Sequence, residues 1–326
     1  MRKGKCILAN LHDIERRILS VSSTRQITRT MEMVSAAKIR LATDRMDNAL
    51  PWADSVNEMM ISTAKYTSVD MQPLLTTHEN VKRVLVCVVS SDRGLAGGFN
   101  TNILRKAERL IKAKQSLGAN VEVVACGKKA IGYMTYRGIK PIFEFVDKSA
   151  DPTYDEAYSL ANYCAEQYVK EENPLDEVYV VFNHAKNAAE QTQVVQQVLP
   201  VSGEHYEDLF KGKDDDIFED FVKENKLRID EDEKKDCKVF GDVDFEPNGE
   251  EVLAFLIQSY LQNAFYYALL DSAAGEQGAR RNAMKSATDN ATEMVSTLTR
   301  IYNRARQGAI TTEINEIVGG AAALEE

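Results

Sequence analysis

Residues 5–50 read KCILANLHDIERRILSVSSTRQITRTMEMVSAAKIRLATDRMDNAL, with neither glycine nor proline in 46 positions. A globular helix usually ends within about 11–12 residues, and glycine and proline are its commonest punctuation. Within the run, Leu11, Ile14, Ile18 and Val21, then Ile27, Met31, Val34 and Leu41, recur at steps of three, four or seven. That spacing predicts one apolar stripe along one helix. At 1.5 Å per residue, about 40 residues reach about 60 Å, longer than a small domain is wide. Pro51 is expected to kink or interrupt the helix, which Trp52–Tyr66 can continue. Ser20–Thr24 is a second place where it could break, because Ser and Thr favour caps and turns.

The other end of the chain reads alike. No proline occurs between Glu250 and Glu326, and Ala279, Ala283, Ala287, Ala291, Met294, Leu298, Ile301 and Ala305 repeat at helical steps. Gly275, Gly278 and Gly308 weigh against strict continuity. Two very long helices must bury their stripes somewhere, and packing them together as an antiparallel coiled coil does so.

Between them the period changes. Val81–Ser90 is a buried strand pattern and Leu104–Leu117 a helical one. Strand (Asn120–Ala125), helix (Lys128–Arg137), strand (Ile139–Val146) and helix (Tyr154–Lys170) follow. Glu177–Asn183 and Thr192–Leu199 are strands without a helix between them, which predicts an antiparallel hairpin. Alternation of this kind argues for an open, Rossmann-like βαβ sheet. The expected division is therefore 1–75 and 250–326 for the long helices, 76–201 for the α/β domain, and 202–249 for an acidic linker or insertion.

Charge separates these parts. The chain carries −10 overall, yet Lys and Arg against Asp and Glu give +3 for 1–75, 0 for 76–201, −11 for 202–251 and −2 for 252–326. One segment holds the acidity and reads as a solvated surface loop. No run of about 18 apolar residues exists, so no membrane-spanning helix is expected. The five cysteines are odd in number and widely spaced, which argues against a disulfide framework or zinc site. A reduced, cytoplasmic protein without a signal peptide is the expectation.

Candidate chemistry is sparse. Ser90-Ser91-Asp92-Arg93-Gly94-Leu95-Ala96-Gly97-Gly98-Phe99-Asn100 joins a strand to a helix, where a phosphate cradle could lie. Its GxxGG spacing matches neither dinucleotide nor P-loop fingerprints. Gly94, Gly97 and Gly98 read as a structural turn, serving positive φ and close strand–helix approach. His12, His78, His184 and His205 are scattered, no GxSxG elbow occurs, and no carboxylates pair with a reason behind them. Catalytic, cofactor and metal residues are all expected to be absent. Basic residues gather near the ends: Arg25, Arg29, Lys38, Arg40 and Arg45 on the first helix, Arg300, Arg304 and Arg306 on the last. Their density is modest and no aromatics are interleaved, which argues against nucleic acid. Arg306 beside Gln307 offers planar donors for carboxylates.

Several segments resemble the gamma subunit of F-type ATP synthases, of bacterial type. They are Thr24–Arg40 (TRQITRTMEMVSAAKIR), Ser91–Asn102 (SDRGLAGGFNTN), Ala283–Ala291 (AMKSATDNA) and Tyr302–Ile314 (YNRARQGAITTEI). They span nearly the whole chain in order. The resemblance implies a central rotor shaft, one copy per complex: a coiled coil inside the alpha/beta hexamer, and an α/β domain near epsilon and the c-subunit ring. It implies a non-catalytic subunit, peripheral at the cytoplasmic face of the cell membrane. In the family, the position matching Met31 lies near an acidic segment of beta, and those matching Arg306, Gln307, Thr311 and Glu313 near a beta loop. Three departures stand out: residues 1–8 precede the usual start, Ser202–Asp244 is longer than in many relatives, and Ala96 replaces a common Cys. Chloroplast relatives carry a regulatory insert with a cysteine pair at that place; Cys237 stands alone here, which argues against a thiol switch. The rival readings are a nucleotide-binding regulatory protein with coiled-coil arms, and a plain scaffold.

Overall fold

A computed structural model describes residues 2–64, 72–78, 80–187, 190–201 and 245–322. The acidic segment 202–244, with His205 and Cys237, lies outside the described residues. The elements are α1 (Arg2–Ala64), a short 3-10 turn (Pro73–Leu75), β1 (Arg83–Val89), α2 (Phe99–Ser116), β2 (Asn120–Cys126), α3 (Lys128–Tyr136), β3 (Phe143–Phe145), α4 (Tyr154–Tyr168), β4 (Glu177–His184), β5 (Thr192–Leu199) and α5 (Gly249–Ala322). Two compact units result: residues 1–36 with 280–326, and residues 37–279.

In the larger unit, five strands form one sheet in the order β3-β2-β1-β4-β5. β1 pairs in parallel with β2 and β4, β2 in parallel with β3, and β4 antiparallel with β5. All seven residues of β1 are buried, as a central strand covered on both faces requires. On one face Val84, Val86 and Val88 pack with Ile103, Leu110 and Ile111 of α2 and Met134 of α3. On the other, Leu85, Cys87 and Val89 pack with Leu160 and Cys164 of α4 and Leu261, Phe265 and Ala268 of α5. The last long helix is therefore a layer of the α/β core over part of its length. Met60 at the end of α1 joins Leu253, Leu256 and Ile257 in a smaller cluster.

Neither suspected break interrupts α1. Thr24 Oγ1 donates to Ser20 O (3.1 Å), one turn back, which satisfies the hydroxyl inside the helix. Pro51 also sits within the helical span, and Ser55 Oγ donates to its carbonyl (2.8 Å). Gly275, Gly278 and Gly308 are all helical in α5.

The smaller unit is an antiparallel coiled coil. α1 leaves it after Ala36 and α5 enters it at Arg280, so the helices run in opposite directions. Thr288 Oγ1 donates to Thr28 Oγ1 across the seam (2.8 Å). The partly or fully buried positions of α1 include Leu11, Ile14, Ile18, Val21, Arg25, Thr28, Glu32 and Ser35, an alternation of three and four. Those of α5 include Arg281, Met284, Thr288, Ala291, Val295, Leu298, Tyr302, Ala305 and Ala309. Both are heptad seams.

This corrects the stripe read from apolar residues alone. In α1 it holds as far as Val21 and at the half-buried Met31, and in α5 it holds at Ala291, Leu298 and Ala305. Ile27 (57% exposed) and Val34 (51%) face out, as do Met294 and Ile301, while Thr28, Ser35, Val295 and Tyr302 take the seam. In the larger unit Leu41 is exposed too. The physical reason is that a coiled coil keeps the positions its 3.5-residue period brings round, whatever their polarity.

Candidate functional site

The turn after β1 is built around two side chains. Asn100 Oδ1 accepts from Ser91 N (3.0 Å) and Asn100 Nδ2 donates to Ser91 Oγ (2.7 Å), whose own proton goes to Arg93 O (2.5 Å), which ties the two ends of the turn together. Gly97 has φ +58° and Leu95 φ +64°, so one left-handed position falls on a non-glycine residue. Gly98 caps α2, and a Cβ there would lie 3.1 Å from Asn102 Nδ2; a Cβ on Gly94 would meet nothing within 4 Å.

Asp92 joins three loops at the carboxyl edge of the sheet. Its Oδ1 accepts from Lys128 N (3.0 Å), the first residue of α3, and from Asp147 N (3.1 Å). Its Oδ2 accepts from Ser149 N (3.2 Å) and Ser149 Oγ (2.8 Å). Partial burial disfavours its ionised form, but the bonds from Ser149, Asp147 and Lys128 outweigh that and hold the carboxyl below its usual range. Ser90 Oγ accepts from Ala130 N (2.8 Å), a further donor of the same first turn. A phosphate-binding crevice leaves such amides for its ligand. Here the chain's own side chains take them; the nearby cleft is lined by Val89, Cys126, Phe145, Leu160 and Leu269 together with Ser149, Lys148 and Glu156, the last two paired with each other at 2.5 Å. That arrangement disfavours the nucleotide-cradle reading.

Sequence reasoning missed Gly127. Its φ is +91°, and a Cβ there would come 2.4 Å from Ser90 O. The signal was present in Cys126-Gly127-Lys128, a strand running into a helix through one glycine.

α5 is gripped at successive stations of the larger unit. Tyr154 OH donates to Gln262 Oε1 (2.8 Å), and Gln258 Nε2 to Asn162 Oδ1 (2.9 Å), both from α4. Asp271, wholly buried, pairs with His184 Nδ1 (2.7 Å) at the end of β4 and accepts from Ala185 N (2.9 Å). Further on, the missing side chain of Gly275 lets α5 approach the backbone: a Cβ there would sit 3.3 Å from Asn183 O and 3.5 Å from the Phe99 ring. Ala279 then packs with Ala96 and Phe99, so the glycine-rich turn abuts α5.

Two further histidines and three cysteines have defined surroundings. His78 Nδ1 pairs with Asp176 (2.7 Å) and its ring stacks on Tyr168 at 4.8 Å; His12 lies near Glu15 on the exposed face of α1. Cys87, Cys126 and Cys164 are free and buried, with Cys87 Sγ 3.9 Å from Cys126 Sγ. The hydrogen bond to Cys126, together with burial, pushes the Cys87 thiol up, and burial pushes Cys164 up, opposite to the shift a reactive thiolate needs. Among the described residues no group of His, Cys, Asp and Glu could hold a metal.

The five candidate contact residues lie in the coil. Met31 is half-buried beside the seam, whereas Arg306, Gln307, Thr311 and Glu313 are exposed on α5. Gln307 and Thr311 share a face, with Thr311 Oγ1 donating to Gln307 O (2.9 Å). Counting from the Thr28–Thr288 contact puts Met31 level with Lys285. That is about 30 Å along α5 from Arg306 at 1.5 Å per residue, so these residues form two separate groups. Of the basic residues, Arg25 turns partly into the seam, and Arg45 is taken by Asp151.

Comparison with known proteins agrees with this geometry. The family described as ATP synthase matches residues 10–324. The ATP synthase gamma chain of Chloroherpeton thalassium is 37% identical over 98% of this chain and 99% of its own. That of Heliobacterium modesticaldum is 39% identical over 97% of this chain and 100% of its own. A chain in the structure of the Euglena gracilis mitochondrial ATP synthase (OSCP/F1/c-ring) matches with a TM-score of 0.61 at 18% identity, covering 97% of this chain and 95% of that one. A chain in the Tetrahymena thermophila mitochondrial ATP synthase central stalk and c-ring matches with a TM-score of 0.55 at 24% identity, covering 80% and 99%. The structural matches concern the fold; the sequence matches reach further, and by them this chain belongs to the ATP synthase gamma chain family.

Proposed function

We propose that this chain is the central rotor shaft of an F-type proton-translocating ATP synthase, coupling rotation of a membrane c-subunit ring to conformational changes at the beta-subunit catalytic sites. The observation that carries the reading is α5. One unbroken helix, Gly249–Ala322, is a layer of the α/β core through Leu261, Phe265 and Ala268 and also half of the coiled coil through Met284, Thr288 and Ala291. Twist applied to such a helix is carried by its own hydrogen-bond ladder. In this reading 1–75 and 250–326 supply the shaft, 76–201 the α/β domain that meets epsilon and the ring, and 202–249 an insertion. The alpha and beta subunits surround the coil, and one copy serves each complex. The chain makes no bonds in the reaction; catalysis belongs to beta. No helix among the described residues is long and apolar enough to cross a membrane. In this reading the chain is peripheral, held at the cytoplasmic face through the ring.

Met31 is assigned to an acidic segment of beta, and Arg306, Gln307, Thr311 and Glu313 to a beta loop. The exposure of the last four supports this, since none is used inside the coil. Gly94, Gly97 and Gly98 are assigned to the turn that abuts α5. Co-expression with alpha and beta from the same source, followed by native mass spectrometry, tests the role. One copy per three alpha and three beta, with ATPase activity that depends on this chain, supports it; a chain that stays alone refutes it. Arg306→Ala is expected to weaken ATP-driven proton pumping relative to hydrolysis, and unchanged pumping removes that assignment.

A further inference from the structure

The coil of residues 1–36 and 280–326 joins two kinds of seam end to end. Counting outward from Thr28–Thr288 in one direction puts Val21 level with Val295, Ile18 with Leu298 and Ile14 with Tyr302. These layers are apolar. In the other direction the seam sets Glu32 level with Met284 and Ser35 level with Arg281; Arg25, on the near side, is level with Ala291. Polar side chains fill most of these places: Thr28 (8% exposed) and Ser35 (2%) are covered, and Arg25, Glu32, Arg281 and Thr288 are partly buried.

The hydroxyls at the centre have an alternative to each other. Thr28 Oγ1 lies 3.1 Å from Arg25 O, and Thr288 Oγ1 lies 2.9 Å from Met284 O, each one turn back on its own helix. Two protons serve three contacts. One hydroxyl bonds across the seam while the other bonds to its own backbone. If the helices part here, each hydroxyl falls back on its own carbonyl and no buried polar group is stranded. Opening thus removes one hydrogen bond and uncovers Met284 (5% exposed) and Ala291 (6%) as its apolar surface. The layers beyond pair a large apolar side chain with another at every step, Val21 with Val295, Ile18 with Leu298 and Ile14 with Tyr302, all partly buried, so parting them uncovers more apolar surface and is less favourable. Thr24, Thr28 and Thr30 bond back to carbonyls of α1, and Thr288 and Thr292 to carbonyls of α5, a habit that weakens and bends helices; among the described residues of 295–305 Thr299 alone does so. Helices of such residues depend on packing to stay formed.

We propose that residues 24–35 and 281–292 form a latched joint in the coil, closed by the Thr28–Thr288 hydrogen bond and able to open locally while the apolar layers beyond it hold. The inference does not rest on the rotor reading.

Hydrogen exchange followed by mass spectrometry on the full chain tests it. Amides of 24–35 and 281–292 should exchange faster than those of 11–21 and 295–305. Simple fraying gives the reverse order, because the second set lies nearer the helix ends. Thr288→Ala should speed exchange about five-fold in 24–35 and 281–292 alone, the factor that a net hydrogen bond of about 1 kcal/mol gives. Thr288→Ser, which keeps the hydroxyl, should leave the rate near that of the parent. The pair Thr28→Val with Thr288→Val makes the layer apolar and should slow exchange below the parent. An end-to-centre order of exchange, or a Thr288→Ala chain that exchanges like the parent or faster everywhere, overturns the proposal.

Discussion

Asp92→Ala removes the one carboxylate that ties the β1–α2, β2–α3 and β3–α4 connections together. Four hydrogen bonds are lost. Two of their donors, Lys128 N and Asp147 N, are exposed, and water replaces the acceptor there at small cost. The bonds from Ser149 N and Oγ are partly buried, and a bond to a charged group contributes about 1.5–3 kcal/mol, so two of them put the loss near 3 kcal/mol. The favourable placement of a negative charge at the start of α3 adds about 0.5 kcal/mol. For a domain of this size about 1 kcal/mol moves Tm by about 2–4 °C, so calorimetry on the full chain should show the α/β transition lower by about 6–14 °C. The pH dependence carries a second test. The folded carboxyl titrates below its ordinary value, so the unfolded chain takes up the proton first as pH falls. The stabilisation is complete above the ordinary carboxylate range and fades as pH drops through the lower folded value. Parent and variant should converge in acid. A variant melting within about 2 °C of the parent, a range set by that same conversion, refutes the reasoning. So does a gap that ignores pH between 3 and 6, roughly the span around a carboxylate pKa.

Two further substitutions test the core. Gly127→Ala places a Cβ 2.4 Å from Ser90 O in a left-handed backbone. It should destabilise by about 3 kcal/mol or more, while Gly94→Ala, with open space around it, should stay within about 0.5 kcal/mol in the same urea titration. Arg83 and Glu122 form a two-pronged pair, Nε–Oε1 at 2.7 Å and Nη2–Oε2 at 3.0 Å, with side chains 10% and 20% exposed. Arg83→Met alone should lose about 3 kcal/mol, and Arg83→Met with Glu122→Leu should recover most of it, because the single change strands a charge; equal losses from the single and double variants would contradict this.

How much could be read without coordinates differs by element. The β1 pattern is plain: RVLVCVV is apolar after its first residue, short, and rich in valine, which together favour a strand covered on both faces. The β4–β5 hairpin was legible because no helix-length segment separates the strands. β3 was legible only in part, since Ile139–Val146 shortens to Phe143–Phe145, where pairing with β2 stops. The five contact residues came from resemblance; local chemistry singled out Arg306 and Gln307 and was silent on Met31, Thr311 and Glu313. Gly127 and the hub at Asp92 were not singled out, because their partners lie in loops 36 to 57 residues away.

Local patterns alone thus determined that both ends are long helices and the middle an α/β sheet, because breakers, period and strand length act within a few residues. Only the tertiary structure decided which face of each helix meets its partner. Ile27 and Val34 have the right chemistry for a seam and lie outside it, while Thr28 and Ser35 lie within. The apolar stripe drifts around a helix, and where two helices touch is set by the whole length over which they pair. The same holds for α5: its periodicity showed a long helix, and nothing short of the packed sheet showed that residues 253–279 are also a wall of the core.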